Sequence, residues 1–171
     1  FKYKGGGNVI NVNTYSEGNT KLACSAGYGW AVGTMAPETG KWYFEIAGIT
    51  DNQTTIGAWE MDALYDSYST FSSQKNYRYY GNNGIVYNKD GGTVQSYSTF
   101  AVGDVIGCAL DLENNKIYFS KNGTWQGSSD PAAGTNPAAS DVTGAWFPAC
   151  TADTSDSVKI NFGQDSSFSG S

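Results

Sequence analysis

The chain has 171 residues, with 10 lysines and arginines against 16 aspartates and glutamates, so its formal net charge at pH 7 is −6. An acidic chain lacks the concentrated basic face that binds duplex DNA, long RNA or an anionic membrane, and we therefore expect no nucleic-acid partner. It contains no histidine, which removes the commonest general base and the commonest metal ligand. No apolar run approaches the roughly 18 residues that a membrane helix needs, so we expect no membrane insertion.

The length suits one domain, which we predict to cover residues 1–171. The composition combines 5 Trp, 12 Tyr and 8 Phe with 22 Gly, and this mixture is typical of all-β proteins. The cysteines Cys24, Cys108 and Cys150 form no CxxC pair and have no histidine to join them. We therefore predict no metal site and no cofactor.

The first clear strand lies at 41–46. Its residues alternate, with Trp42, Phe44 and Ile46 on one face and polar residues between them. This pattern predicts that Trp42 belongs to the core, and Trp59 and Trp146, in or beside strands, are predicted to do the same. Weaker strand candidates lie at 9–12, 53–59 and 84–87.

The stretch from Glu60 to Tyr80 shows no clear period of two, and we interpret it as a loop region. Tyrosines mixed with serine, asparagine and arginine are typical of recognition loops, because they supply rigid contact area and adaptable hydrogen bonds. An equally good interpretation is that half of these side chains cover the edge of the sandwich. The candidate binding residues are Tyr65, Tyr68, Phe71, Tyr77, Arg78 and Tyr79, together with Trp125 further along the chain.

Two hairpins follow. Residues 104–112 and 116–120 alternate on either side of a pair of asparagines, which tolerate the positive φ of a tight turn. Asn122-Gly123 is a second and stronger turn signal. Cys108 shares a face with Ile106 and is predicted to be a small buried hydrophobic residue.

Residues 127–144 are rich in Ser, Ala, Pro and Gly and are predicted to form an exposed loop that crosses between strands. The alternation resumes at 158–162 and ends at Gly163. Many short strands at this spacing predict a sandwich or a barrel.

Six ordered sequence pieces make the chain resemble the SPRY domain family, from about Thr34 to Gly163. The resemblance implies a bent sandwich of two antiparallel sheets, a jelly roll of the concanavalin type, with residues 1–33 supplying its N-terminal strands. The pieces are Gly40 to Glu45, Gly103 to Gly107, Leu110 to Phe119, Asn122-Gly123, Phe147-Pro148-Ala149 and Asn161-Phe162-Gly163.

The resemblance also implies a function, since these domains bind, usually to proteins, through loops at one end of the sandwich. The Gly-, Ser-, Thr-, Asn- and Tyr-rich composition resembles the SPRY-like domains of bacteriophage structural proteins. The expected partner is therefore a host receptor or a neighbouring virion subunit, and the expected location is the virion surface or the extracellular space.

Catalysis is not expected. Without histidine a Ser-His-Asp site cannot form, and Glu45 and Asp111 fall in scaffold strands where acids usually accept structural hydrogen bonds. The alternative function is a carbohydrate-binding module. One or two exposed aromatic residues beside a carboxylate and an amide in a shallow groove would favour a sugar, whereas a broad, flat, Tyr-rich rim would favour a protein.

Overall fold

The computed structural model describes residues 13–27, 29–60, 75–88 and 91–166. Within these residues the chain forms thirteen strands, and every pairing between them is antiparallel. The strands are β1 (Asn13–Ser16), β2 (Lys21–Cys24), β3 (Gly29–Val32), β4 (Lys41–Ala47), β5 (Thr55–Glu60), β6 (Asn76–Tyr80), β7 (Ile85–Tyr87), β8 (Thr93–Ser96), β9 (Ile106–Asp111), β10 (Lys116–Lys121), β11 (Thr124–Trp125), β12 (Trp146–Ala152) and β13 (Ser157–Asn161).

The strands form two sheets that pack face to face. One sheet has seven strands in the order β1-β2-β13-β4-β9-β10-β11, and the other has six in the order β3-β12-β5-β6-β7-β8. The predicted all-β sandwich is confirmed. Among the described residues, no helix has the length and apolar character to cross a membrane.

The core lies between the sheets and is filled by the alternating inward residues that the sequence indicates. Phe44, Cys108 and Phe119 are register neighbours on β4, β9 and β10, and all three are buried. The prediction that Cys108 is a small buried hydrophobic residue is therefore confirmed. Side chains from both sheets join in one large cluster, which includes Ile56, Tyr79 and Trp146 from the six-stranded sheet.

The two predicted hairpins are present, and the residues at their turns explain why. Asn115 has a φ of 57° in the β9–β10 turn, while Asn122 and Gly123 have φ values of 49° and 75° in the β10–β11 turn. Asparagine and glycine enter this left-handed region more easily than other residues do. These turns fix the register that places Phe119 opposite Cys108.

The three tryptophans predicted to be core residues have different environments. Trp146 and Trp59 are buried, Trp59 in a smaller cluster with Val32 and Ala149. The prediction for Trp42 is wrong, because its side chain is 43% exposed. Trp42 lies near the start of β4, at an end of the sandwich, where its indole N–H donates to the Thr39 carbonyl at 2.8 Å.

The loop interpretation of Glu60 to Tyr80 is wrong for its last five residues, because Asn76–Tyr80 is the strand β6. Its inward residues Tyr77 and Tyr79 alternate with outward Asn76 and Arg78. Residues 61–74 lie outside the described residues, as does the strand candidate at 9–12.

Residues 127–144 form a long connection between β11 and β12, but it is only partly exposed. Ala138, Ala139 and Val142 are buried, and Ala139 forms a β-bridge with Ile117 of β10. The prediction of an exposed loop is thus corrected at these residues, whose small apolar side chains pack against the core.

Candidate functional site

One end of the sandwich carries a group of connections that meet beside the start of β12. β5 ends at Glu60 and β6 is entered through Lys75, whose carbonyl accepts a hydrogen bond from the Glu60 N–H at 3.0 Å. The side chains of the same two residues form an ion pair with an Nζ–Oε1 distance of 3.0 Å. Glu60 and Lys75 therefore lie side by side at one end of the sandwich, which we call the Glu60 end.

Aromatic side chains form the base of the Glu60 end. Tyr77 and Trp146 stack on the inner face of the six-stranded sheet, with ring centroids 5.8 Å apart and an interplanar angle of 23°. The Tyr77 hydroxyl donates to the Asp141 carboxylate, and the Lys75 ammonium lies 5.4 Å from the Trp146 ring centroid. Burial, then the hydrogen bond to Asp141, raises the pKa of Tyr77, so this phenol stays protonated at neutral pH.

An exposed apolar side chain lies at the same end. Met35 is 68% exposed, in the connection from β3 to β4. That connection is attached to β12, because the backbone N–H of Trp146 donates a hydrogen bond to the Pro37 carbonyl at 3.1 Å. A flexible, exposed apolar side chain suits contact with another protein.

The structure separates the predicted binding residues. Tyr65, Tyr68 and Phe71 lie outside the described residues. Tyr77 and Tyr79 are buried in the core, where the Tyr79 hydroxyl donates to the Ser98 carbonyl and its ring meets Phe100 edge-on. Their structural role is packing.

Arg78 and Trp125 lie on the outer faces of different sheets. Arg78 belongs to the six-stranded sheet, where its Nη1 donates to the Asn76 side chain at 2.7 Å and its guanidinium lies 5.1 Å from the Tyr87 ring centroid. Burial lowers the pKa of Arg78. Trp125 belongs to the seven-stranded sheet and meets Tyr43 edge-on, with centroids 6.1 Å apart.

Sequence reasoning missed Met35, Lys75 and Asp141. Met35 lies between Thr34 and Ala36 in a short segment without alternation, and Asp141 follows a run of Ala and Ser, so neither belongs to a pattern. Only their placement beside β12 and the start of β6 connects them. Nothing in the sequence pairs Glu60 with Lys75.

The acids in the scaffold strands accept structural hydrogen bonds. Glu45 accepts one from the Tyr43 hydroxyl at 2.7 Å. Asp111 accepts the Asn114 side-chain N–H at 2.9 Å and pairs with Lys41 at 3.4 Å. Within the ranges that the structure describes, no three of the His, Cys, Asp and Glu side chains are grouped so that they could hold a metal ion.

Comparison with known proteins gives this arrangement a family context. The SPRY domain profile matches residues 41–165. Ran-binding protein 9 of Danio rerio is 30% identical over 117 residues, which is 66% of this chain and 19% of that protein. The E3 ubiquitin-protein ligase RKP of Arabidopsis thaliana is 29% identical over 127 residues, which is 72% of this chain and 9% of that protein. The chain thus spans less than a fifth of either relative.

Solved structures show the same fold. The SPRY domain of human HERC1 superposes with a TM-score of 0.69 at 23% identity, covering 91% of this chain and 95% of that one. Another human SPRY domain gives a TM-score of 0.64 at 20% identity, covering 91% and 98%. The profile match includes β4 and every strand that follows it in the chain. The chain belongs to the SPRY domain family.

Proposed function

We propose that this domain is a non-catalytic module that binds a protein partner through the Glu60 end. SPRY domains are typically protein-interaction modules, and this end combines a fixed base with exposed contact area. The Glu60–Lys75 ion pair and the Tyr77–Trp146 stack hold the base. Met35 supplies exposed apolar surface beside it.

The observation that carries this proposal is the double contact between Glu60 and Lys75. Because both a backbone hydrogen bond and an ion pair join these residues, the two residues that flank 61–74 in the sequence lie together at the Glu60 end. Tyr65, Tyr68 and Phe71 belong to that segment and remain our predicted contact residues. Loops placed by a rigid scaffold are where binding residues concentrate.

We further propose that the domain is a component of a bacteriophage particle, at the virion surface or otherwise extracellular. Its partner would then be a host receptor or a neighbouring virion subunit. The support is compositional, namely the 22 glycines and 12 tyrosines in 171 residues. The relatives named above come from a fish and a plant, so this assignment rests on composition alone.

Carbohydrate binding is the second candidate function. It is favoured by aromatic side chains on the seven-stranded sheet, where Tyr43 is 46% exposed and stands beside Trp125. Lys41 and Asp111 place polar groups next to these rings. These rings belong to the seven-stranded sheet, whereas Glu60 belongs to the six-stranded sheet.

Partner capture with two matched variants tests the protein-binding proposal. Met35 and Val102 are almost equally exposed, at 68% and 67%, but Val102 lies at the opposite end of the sandwich, just before β9. Immobilised wild-type domain should capture a partner from purified particles or host extract, and Met35→Glu should lose at least nine-tenths of that capture while Val102→Glu retains it. Equal capture by both variants, or loss with Val102→Glu only, would refute the placement.

A further inference from the structure

A cavity lies on the outer face of the seven-stranded sheet, and the register of three strands explains it. Ala109 on β9 is paired with Tyr43 on β4 and with Tyr118 on β10. A methyl group between two large rings leaves a depression in the face. Trp125 and Pro131 border the depression, which has a volume of about 240 Å³.

Two aromatic rings give the cavity fixed apolar walls. The Tyr43 ring is 46% exposed, and its hydroxyl is held by the Glu45 carboxylate at 2.7 Å. Trp125 is half-buried and meets Tyr43 at an interplanar angle of 70°. Because both rings are held in place, a ligand that packs on them orders few side chains as it binds.

A hydrogen-bond acceptor and a hydrogen-bond donor border the same cavity. The Asp111 carboxylate is held by the Asn114 backbone and side-chain N–H groups, at 3.1 and 2.9 Å, and lies 3.4 Å from the Lys41 ammonium. Burial alone would raise the pKa of Asp111, but the hydrogen bonds from Asn114 and Lys41 lower it, so the group is ionised at neutral pH. The pair supplies an acceptor and a donor without net charge.

Tyr118 is among the residues that line the cavity, and its buried hydroxyl is unsatisfied. Tyr118 is fully buried, and its hydroxyl makes no hydrogen bond with any described residue. Leaving a buried hydroxyl without a partner is unfavourable, because the group has lost its hydrogen bonds to water. The hydroxyl itself has almost no accessible surface, so a ligand hydroxyl reaches it, and supplies the missing partner, only when a bordering side chain shifts.

We propose that this cavity binds one pyranose ring of a neutral saccharide. A pyranose presents apolar C–H faces to aromatic rings and hydroxyls to groups that donate and accept, which matches Tyr43 and Trp125 beside Asp111 and Lys41. The cavity is smaller than the roughly 300–1,000 Å³ pockets that hold drug-sized ligands, as expected for a single sugar unit. The inference rests on the carbohydrate-binding candidate and is independent of protein binding at the Glu60 end.

The position of the cavity in the sheet disfavours an extended peptide. Peptides that add to a sheet use the unpaired backbone groups of an edge strand. The cavity lies over β4 and β9, which are interior strands paired on both sides. The mutual neutralisation of Lys41 and Asp111 likewise leaves no net charge to attract an ionic ligand.

Titration with defined sugars tests the proposal. The methyl glycosides of glucose, galactose, mannose and N-acetylglucosamine are added at millimolar concentration to ¹⁵N-labelled protein, and a glycan array is probed in parallel. At least one sugar should shift the Trp125 indole resonance. Trp125→Ala should weaken its binding at least tenfold, whereas Trp30→Ala, on the outer face of the other sheet, should not.

A second pair of variants keeps the test valid if Trp125→Ala fails to fold. Tyr118→Phe retains the ring and should weaken binding several-fold, while Tyr87→Phe on the other sheet should leave it unchanged. The proposal is overturned if no sugar binds, or if neither Trp125→Ala nor Tyr118→Phe changes the binding of the sugar that does. None of these outcomes bears on the capture of a protein partner and its loss in Met35→Glu. The sugar-binding proposal and the protein-binding proposal can therefore be refuted independently.

Discussion

The rings of Tyr77 and Trp146 stack at 5.8 Å although their strands, β6 and β12, are separated by β5. The stack therefore spans three strands of the six-stranded sheet on its inner face. It connects the Glu60 end directly to the core, since both residues belong to the main cluster. A surface supported in this way keeps its shape when a partner binds, which reduces the ordering cost of association.

The packing of β9 against β10 makes a direct stability prediction. Leu110 and Phe119 are 1% and 0% exposed, so replacing either with alanine should lower the free energy of unfolding by about 2–5 kcal/mol. Val102→Ala, at a residue that is 67% exposed, is the control and should change it by less than about 0.5 kcal/mol. Denaturant unfolding followed by tryptophan fluorescence measures all three. Unchanged midpoints for Leu110→Ala and Phe119→Ala would contradict the strand assignment.

Gly57 allows β5 and β6 to approach closely. A Cβ atom at this position would lie 1.9 Å from the Tyr77 carbonyl oxygen, and backbone cannot move aside as a flexible side chain can. Gly57→Ala should therefore destabilise the domain by at least about 1–3 kcal/mol. The control is Gly33→Ala, because its nearest atom is a side-chain carbon of Pro148 at 3.3 Å. A thermal melt in which the two variants are equally stable would show that the strands do not approach in this way.

Two aspartates predict opposite dependences of stability on pH. Burial alone would raise the pKa of Asp104, but hydrogen bonds from the Ala101 N–H, the Asn122 amide and the Lys121 ammonium lower it below its ordinary value of 3.8. A lowered pKa in the folded state means that the ionised group adds stability above pH 3.8, and that this stability is lost as the pH falls through the folded value. Asp104→Asn should cost on the order of 1 kcal/mol at pH 7, and less at pH 3.

Asp156 has a pKa shift opposite to that of Asp104, and therefore the opposite dependence of stability on pH. Burial and then the nearby charge of Asp51 raise its pKa above 3.8. Its contribution to stability is therefore present below pH 3.8 and is lost as the pH rises through the folded value. Relative to wild type, Asp156→Asn should gain stability between pH 3 and pH 7, as Asp104→Asn loses it. Urea midpoints measured at several pH values give, for each variant, the change with pH of its stability relative to wild type. Changes of the same sign for the two variants would contradict the opposite pKa shifts.

The sequence predicted the fold well where side-chain type distinguishes the two faces of a strand. β4, β9 and β10 alternate apolar residues with polar or small ones, so Phe44 and Cys108 were placed correctly. β6 was missed because Tyr77, Tyr79 and Tyr80 are all tyrosine, a residue that suits either a core or a surface.

The candidate site was harder to predict, because it depends on residues far apart in sequence. The contact between Tyr77 and Asp141 joins positions 64 residues apart, and no periodicity signals it. Trp42 shows a second limit. Alternation gives the face of β4 on which it lies, but not how far the opposite sheet extends over that face.

Two tyrosines in the segment that Glu60 and Lys75 flank give a further prediction. The double change of Tyr65→Ser and Tyr68→Ser should leave the melting temperature within about 2 °C of wild type and reduce partner capture at least tenfold, since tyrosines are common energetic centres of interfaces. Tyr87→Phe, on the outer face of the six-stranded sheet, serves as the control for capture. Full capture by the double variant would show that the recognition surface lies elsewhere, and residues 127–144 would be the next region to test.

Site-specific photo-crosslinking tests the central claim most directly, because it reports where a bound partner lies without weakening the complex. A benzoylphenylalanine placed at Met35 and, separately, at Val102 compares two side chains of nearly equal exposure at opposite ends of the sandwich. Irradiation of the captured complex should produce a covalent adduct with the partner from position 35 and none from position 102. An adduct from position 102 alone would show that the partner binds the end opposite Glu60 and Lys75.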